Sequence, residues 1–560
     1  MSIRLIILGT LLGLIILDKA FTQNISDEID VQGNYMPRLK PKEKFYDRPM
    51  MQDTFRITIK PEYDLEATVL ETSFELDTIK SLRFKANPTA TGNRFFIKAG
   101  FGNYLTPFAQ LDFGNRRNKN HIYNVKYNYL AGAGRIGKFG YPGLSSHHAG
   151  AQWLFRNDQK NQFEAQLQYE NSRTHYYGFL TDSFPTISRK DIRQRYNFLG
   201  LNLAFSNTHE NDSDKIYWRP VLSYHFVTDR FGTAENSLAV NATLQKFLNR
   251  IQIGGKVNGG LFHNSAQNLK GTTSGWCMIN PYLNLLFGKL HFKIGAAGYF
   301  TTDSLKTELY AVPDFALHTE IIGKYLLLDL RAQGGVYRNT LDRLRRENPF
   351  IYTNPIYDFT IHQLEASGGF RGSFSKSFSW TAKGIFDIFS NYAFYVNSLA
   401  DTAHRIPDYA GFEVVYGNLV RTTLHGAVRF HQPDKIESGI SADYYFFHQK
   451  NNFFPGNSVP YHPLFRITGR LNLQIIKNLR AGLDIFYIHT QTGFLQINST
   501  TFDTVKIKGV TDINLNAEYN YNSMLGFWAG FHNLAAFAYN RWFRYPTQGF
   551  NFLAGFSLRF

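Results

Sequence analysis

The sequence predicts an all-β fold: a transmembrane antiparallel β-barrel of about 22 strands, with a short segment ahead of it. Three observations predict it. Aromatic residues make up 16% of the chain. Long runs alternate apolar and polar residues with period two, the strand signal. The connections between those runs alternate between long and short.

A chain of 560 residues would normally divide into domains of roughly 150 residues, and large closed barrels are exceptions to that rule. The chain carries 51 Phe and 33 Tyr, more rings than an ordinary core holds, and aromatic girdles at two membrane interfaces give them a place. Mean hydropathy is nonetheless −0.29, as expected if half of each strand faces a wet lumen.

The alternation begins near residue 94. Phe95, Ile97, Ala99 and Phe101 share one face. Tyr123, Val125, Tyr127 and Tyr129 alternate with Asn124, Lys126 and Asn128. Phe163, Ala165, Leu167 and Tyr169 alternate with Gln162, Glu164, Gln166 and Gln168. Leu328, Leu330, Ala332, Gly334 and Val336 alternate with Asp329, Arg331 and Gln333, and Phe465, Ile467, Gly469 and Leu471 with Arg466, Thr468 and Arg470. The second face is too polar for a sandwich, and strands of about ten or more residues are long for most soluble sheets. A closed barrel in a bilayer explains both features, because every backbone N–H and C=O is satisfied within the ring.

Long connections are read at 133–146, 264–275, 339–358, 449–463 and 493–509, and short ones at 157–160, 288–289, 323–324, 432–435 and 477–478. Outer-membrane barrels have short periplasmic turns and longer outer loops. With both ends of the barrel chain periplasmic, every long connection falls outside.

Residues 1–22 read as a signal peptide. Arg4 supplies the positive region, Leu5 to Leu17 the apolar run, and Ala20 and Thr22 the small residues before cleavage. The run is short for a spanning helix, which needs about 20 residues, and no later stretch approaches that length. Residues 23–93, rich in charge and proline, are expected to form a periplasmic segment, and residues 94–560 the barrel.

The net charge of +16 suits anionic headgroups of outer-membrane lipid and lipopolysaccharide, or an anionic solute. Dispersed solubilising charge is the alternative. No dense basic patch or motif points to nucleic acid. Cys277 is the single cysteine, so an internal disulfide is excluded, and no Cys/His spacing suggests a metal.

Gly132–Gly137 matches G-x-G-x-x-G, but the following Lys138 to Gly143 breaks helices, so an outer loop is expected and no cofactor. His147 and His148 are adjacent and point to opposite faces of a strand. Glu164, Asp329 and Asp443 are expected to pair with Arg and Lys on neighbouring strands. No serine sits in a nucleophile motif. Catalysis is not expected.

At the end of the chain, Phe550, Phe552, Ala554, Phe556, Leu558 and Phe560 lie on one face. This resembles known outer-membrane barrels, whose last strand ends on an aromatic residue read by the barrel-assembly machinery. The resemblance implies that Phe560 is that signal, and the need to leave no edge in the membrane assigns 94–101 as the partner that closes the ring. Asn533-Leu534, Tyr539-Asn540, Tyr545 to Gly549, Phe552, Gly555 and Phe560 look like the final hairpin of TonB-dependent receptors. Residues 94–560 are similar in style to plug-less relatives of these receptors in Bacteroidetes. Asp27 to Gly33 loosely resembles the TonB-box region, a plain acidic terminus being the alternative. The family places a plug of well over a hundred residues before the barrel, and 23–93 is shorter, which puts energised uptake in doubt.

The expected function is solute transport across the outer membrane, since a ring of this size encloses an aqueous path unless something fills it. Lys126, Lys256, Lys293, Asp329, Arg331, Arg466 and Arg470 are the expected lumen residues, acting by electrostatic selection. The alternative is a non-transporting scaffold, closed by a periplasmic or lipoprotein partner that docks on 23–93.

Overall fold

The computed structural model describes residues 95–560 apart from 116–119, 158–159, 210–214, 268, 304–305, 323–324, 451–453, 456–457 and 499–500. Expectations for 1–22 and 23–93, including the segment 27–33, lie outside the described residues, as does Arg94.

Among the described residues, 22 strands form one closed antiparallel ring. The first are β1 (Phe95–Gly102), β2 (Thr106–Asn115), β3 (His121–Gly132), β4 (Leu144–Arg156), β5 (Asn161–His175), β6 (Arg193–Asn207), β7 (Tyr217–Thr228) and β8 (Ala234–Leu248). Then come β9 (Ile251–Ala266), β10 (Leu269–Phe287), β11 (Leu290–Thr302), β12 (Thr307–Ile322), β13 (Leu326–Arg338), β14 (Phe359–Ser373), β15 (Phe378–Asn397) and β16 (Phe412–Gln432). β17 (Ile436–Lys450), β18 (Phe465–Ile476) and β19 (Leu479–Ile488) follow. A hairpin of β20 (Gln491–Gln496) and β21 (Phe502–Ile507) then leaves the ring, and β22 (Val510–Asn520) rejoins it by pairing with β19. β23 (Leu525–His532) pairs with β26 (Asn551–Arg559), and the small hairpin of β24 (Asn540–Trp542) and β25 (Tyr545–Pro546) lies between them.

The ring closes where β26 meets β1. Phe95 and Phe560 exchange both backbone hydrogen bonds, at 2.9 and 3.3 Å. Their rings, with Phe113 and Tyr123, form an aromatic arc with centroids 5.9–6.4 Å apart along this rim. Gly100 and Gly555 face each other in the seam. A Cβ on Gly555 would stand 1.9 Å from the Ala99 carbonyl oxygen, and one on Gly100 2.6 Å from both the Ala554 oxygen and the Trp528 ring. Only hydrogen fits at that crossing.

The two faces of the wall differ as the alternation requires. Leu261, Ile279, Ile440 and Phe446 are more than half exposed on one face. On the other, Glu170 of β5 meets Arg345, which follows β13, so this face is the lumen. Among the described residues nothing covers the apolar face, which suits hydrocarbon. Above a register shift at Gln333/Gly335, Val336 leaves the exposed apolar set and is buried with Phe359 and Ile361.

The long connections, among them 176–192, 339–358, 398–411, 489–509 and 533–550, leave one end of the barrel, which is the outer end by the short-turn rule. One expectation is corrected. The stretch 264–275 is not a long loop, because β9 runs to Ala266 and β10 starts at Leu269. These strands continue past the apolar band, where polar residues no longer carry a cost. β15 and β16 do the same, and β20–β21 packs on them through Phe394, Leu419, Phe454, Phe494 and Phe502.

Ile467 sits on the outer face opposite Ala442, and Arg466 on the lumen face opposite Asp443. Ile467→Arg is expected to destabilise the barrel by about 2–4 kcal/mol if it lies near the midplane, while Arg466→Gln costs much less. Urea unfolding of both variants in lipid vesicles measures the difference.

Candidate functional site

At the outer mouth the chain's own connections pack together around a shared core. The connection after β13 begins with Thr340, whose side chain accepts from the Arg343 amide at 3.2 Å and caps helix α1 (Leu341–Glu347). Leu341 and Leu344 are buried on one side of this helix. Its first amide is taken by a wall carboxylate: Leu341 N donates to Glu235 at 3.0 Å, and Asn264 donates to the same oxygen at 2.8 Å. Beyond the next turn, Arg345 donates to Glu170 at 2.8 Å and to Asp342, and Arg346 donates to Glu170 at 2.7 Å and to Asp342 at 2.9 Å. The Arg345 and Glu170 side chains are 3% and 9% exposed. Charge-assisted bonds in so dry a setting are strong but demanding, since either charge left alone is costly.

Above the helix, four connections share one aromatic core. Tyr545 is 1% exposed, stacked on Phe350 at 4.0 Å and edge-on to Tyr177 at 4.7 Å. Its hydroxyl donates to the Ala410 carbonyl oxygen. Tyr176 donates to Ile351 O at 2.6 Å, and Tyr177 to Pro546 O at 3.0 Å. Phe412, Tyr461 and Trp542 continue the cluster. The Tyr545, Tyr176 and Tyr177 hydroxyls thus each end on a carbonyl of a different connection. Burial holds the Tyr545 phenol well above its ordinary range. Burial also raises the Glu347 carboxyl, which accepts from Tyr395 at 3.1 Å.

Below this lid the wall is polar. A cavity of about 290 Å³ under α1 is lined by Lys126, Gln152, Gln166, Glu170, Phe198 and Arg346, among others. Lys293 pairs with Asp314 at 2.5 Å, and Asn280 donates to the same carboxylate at 2.8 Å. Lys256 and Lys293 both approach the Tyr282 ring, at 5.9 and 4.8 Å. Asp329 bridges His318 at 2.8 Å and Arg371 at 2.9 Å, and Arg470 pairs with Asp484 at 2.7 Å. Lys126, Lys256, Arg331 and Arg466 take part in no ion pair among the described residues. The seven lumen residues named from sequence therefore lie on five strands, and the structure brings Lys256 and Lys293 together but gathers no single site from the set.

Asp443 contacts His425 at 2.7 Å, and Glu164 contacts Arg219 of β7 at 3.7 Å, across rather than beside its neighbouring strand. His147 accepts or donates with the Tyr127 hydroxyl at 2.9 Å, while His148 lies 3.7 Å from Glu170 on the other face. The side chains of His362, Glu365 and Asp387 gather within 4.8 Å, but Asp387 is already bonded to His362 at 3.0 Å and to Arg421 at 2.8 Å.

Sequence reasoning missed the lid. Thr340 ahead of a Leu-rich, charged stretch was a helix-start signal within what was read as loop. Nothing local marked Glu170 as the partner of Arg345.

Two outcomes follow. Glu170→Ala leaves buried Arg345 with Asp342 as its one remaining carboxylate and is expected to loosen the lid by about 3 kcal/mol, seen as faster chymotrypsin cleavage among the lid aromatics. Glu347→Gln keeps the acceptor and removes a charge that burial penalises. Because the folded carboxyl is raised, its favourable state is fully present at low pH and lost as pH rises. The variant should resist cleavage better than the wild type at pH 7, and the difference should vanish as pH falls through about 4.3, the ordinary glutamate value.

No protein-family model matches this chain, and no curated protein matches it. Solved structures do. The FrpB iron transporter from Neisseria meningitidis superposes with TM-score 0.65 at 11% identity, over 83% of this chain and 81% of that one. The siderophore receptor PirA from Acinetobacter baumannii gives 0.62 at 10%, over 83% and 80%. The ferric-catecholate import receptor Fiu from Escherichia coli K12 gives 0.60 at 10%, over 84% and 82%. Likeness at this identity establishes the fold. Together with the exposed apolar face, it makes the chain an integral β-barrel of the outer membrane.

Proposed function

We propose that this barrel moves solutes across the outer membrane and that its own loops open and shut the path. The reading rests above all on one observation: a polar, charged lumen lies directly beneath a lid built from α1 and the Tyr545 core. A wall that served only as scaffold has no need of lumen cations that, among the described residues, stand outside any ion pair, such as Lys126, Lys256, Arg331 and Arg466. Those cations favour anionic solutes. Similar structures include an iron transporter and an import receptor, which supports inward movement. On this reading the chain is a relative of TonB-dependent receptors that works without a full plug, and no catalytic step belongs to it.

The scaffold reading has one observation in its favour. The Tyr176, Tyr177 and Tyr545 hydroxyls are all satisfied within the lid, so at these groups the shut state needs no outside partner. Affinity purification from intact membranes separates the two, since a scaffold keeps its partner through purification.

Tyr545→Ala removes the ring shared by three connections. Large aromatic truncations in cores cost about 3–5 kcal/mol, enough to populate an open mouth. In planar bilayers the wild type should conduct rarely, and the variant steadily with anion preference. Lys126→Glu in the open variant should reduce that preference. A folded lid variant that passes no current in any condition would sink the transport reading.

A further inference from the structure

The outer rim above β5 and β6 carries charge that the lumen does not use. Along β5, Arg173 continues the face of Leu167 and Tyr169, which are exposed on the lipid side. At about 3.4 Å per residue it stands about 14 Å beyond Tyr169, towards the outer end. Its register partner on β6 is Arg195, and two residues further Arg193 lies opposite His175. Arg189 and Lys190, from the connection 176–192, line a cavity of about 330 Å³ together with Arg173, Arg193, Tyr129 and His147, among others, while Arg195 stands opposite Arg173 outside that lining.

None of these five cations takes part in an ion pair among the described residues, and the nearby Asp191 is engaged by Ser188 and, at 3.4 Å, by Arg405. Like charges directly opposite on a sheet repel, so the Arg173–Arg195 pair weakens the wall unless an anion stands between them. The cluster is also held in place. Arg230 donates to the carbonyl oxygens of Lys190 and, at 2.6 Å, Arg193, which keeps the connection folded over the cavity.

We propose that this cavity binds the phosphorylated head of an outer-leaflet glycolipid of the lipopolysaccharide class. Guanidinium groups take phosphate by paired hydrogen bonds, and the acyl chains lie along Leu167, Tyr169 and Leu199, which share the apolar face. A small soluble anion would have no use for that continuity with the lipid face. The site is outside the lumen, so it stands or falls independently of transport.

The test is native mass spectrometry of the full chain in detergent with phosphorylated lipid A. The wild type should retain lipid A, and should retain the dephosphorylated form about tenfold less or worse. Arg173→Gln with Arg195→Gln should lose the phosphorylated form, with folding checked by heat-modifiable mobility. Should that pair fail to insert, Arg189→Gln with Lys190→Gln lies off the strands and should show the same loss. Equal retention by the wild type and a folded double variant overturns the proposal. So does saturation by inorganic phosphate alone where lipid A does not bind.

Discussion

In hydrocarbon no water takes a backbone N–H, so every strand needs a bonded neighbour on both sides. The whole architecture depends on meeting that demand at one seam. β1 and β26 have nothing else to pair with on their free edges, and their junction is tight enough that Gly100 and Gly555 cross with no side chain between them. Trp528 covers Gly100 from the lumen side, with Lys98 4.4 Å above its ring. Once the seam is shut, lumen and mouth follow as geometric consequences of strand number.

The contacts that hold the outer connections over the ring are modest in kind. The helix α1 is only two turns long, yet its first amide, two arginines and two leucines are all engaged. A buried ion pair adds little stability over an apolar pair of the same shape, but it is intolerant of misplacement. That suits a latch, which has to choose one position more than it has to be strong.

Much of the wall was legible because its two solvents differ so sharply. Phe465, Ile467 and Leu471 against Arg466 and Arg470 could be read straight from the alternation, as could the closing strand that ends at Phe560. The reading failed where that contrast ends. Beyond the bilayer, Asn264, Lys270, Thr272 and Thr273 are as content in strands as in a loop, so β9 and β10 looked shorter than they are. The lid was hidden for another reason. Glu170 and Arg345 are 175 residues apart, and Tyr177 and Pro546 are 369 apart. No local pattern encodes contacts that depend on several connections folding back over one mouth.

Those separations also fix an order in time. Loop closure over long stretches of chain comes late, since its entropy must be met before the contact exists. Tyr545 arrives with the last hairpin, after all but one of the wall strands, and it is the ring on which Tyr177, Phe350 and Phe412 converge. Whatever sequence of pairings builds the wall, the mouth stays unsealed until the final hairpin is in place. The outer mouth is therefore the last part of the described wall to be completed, and it waits on the final step of assembly.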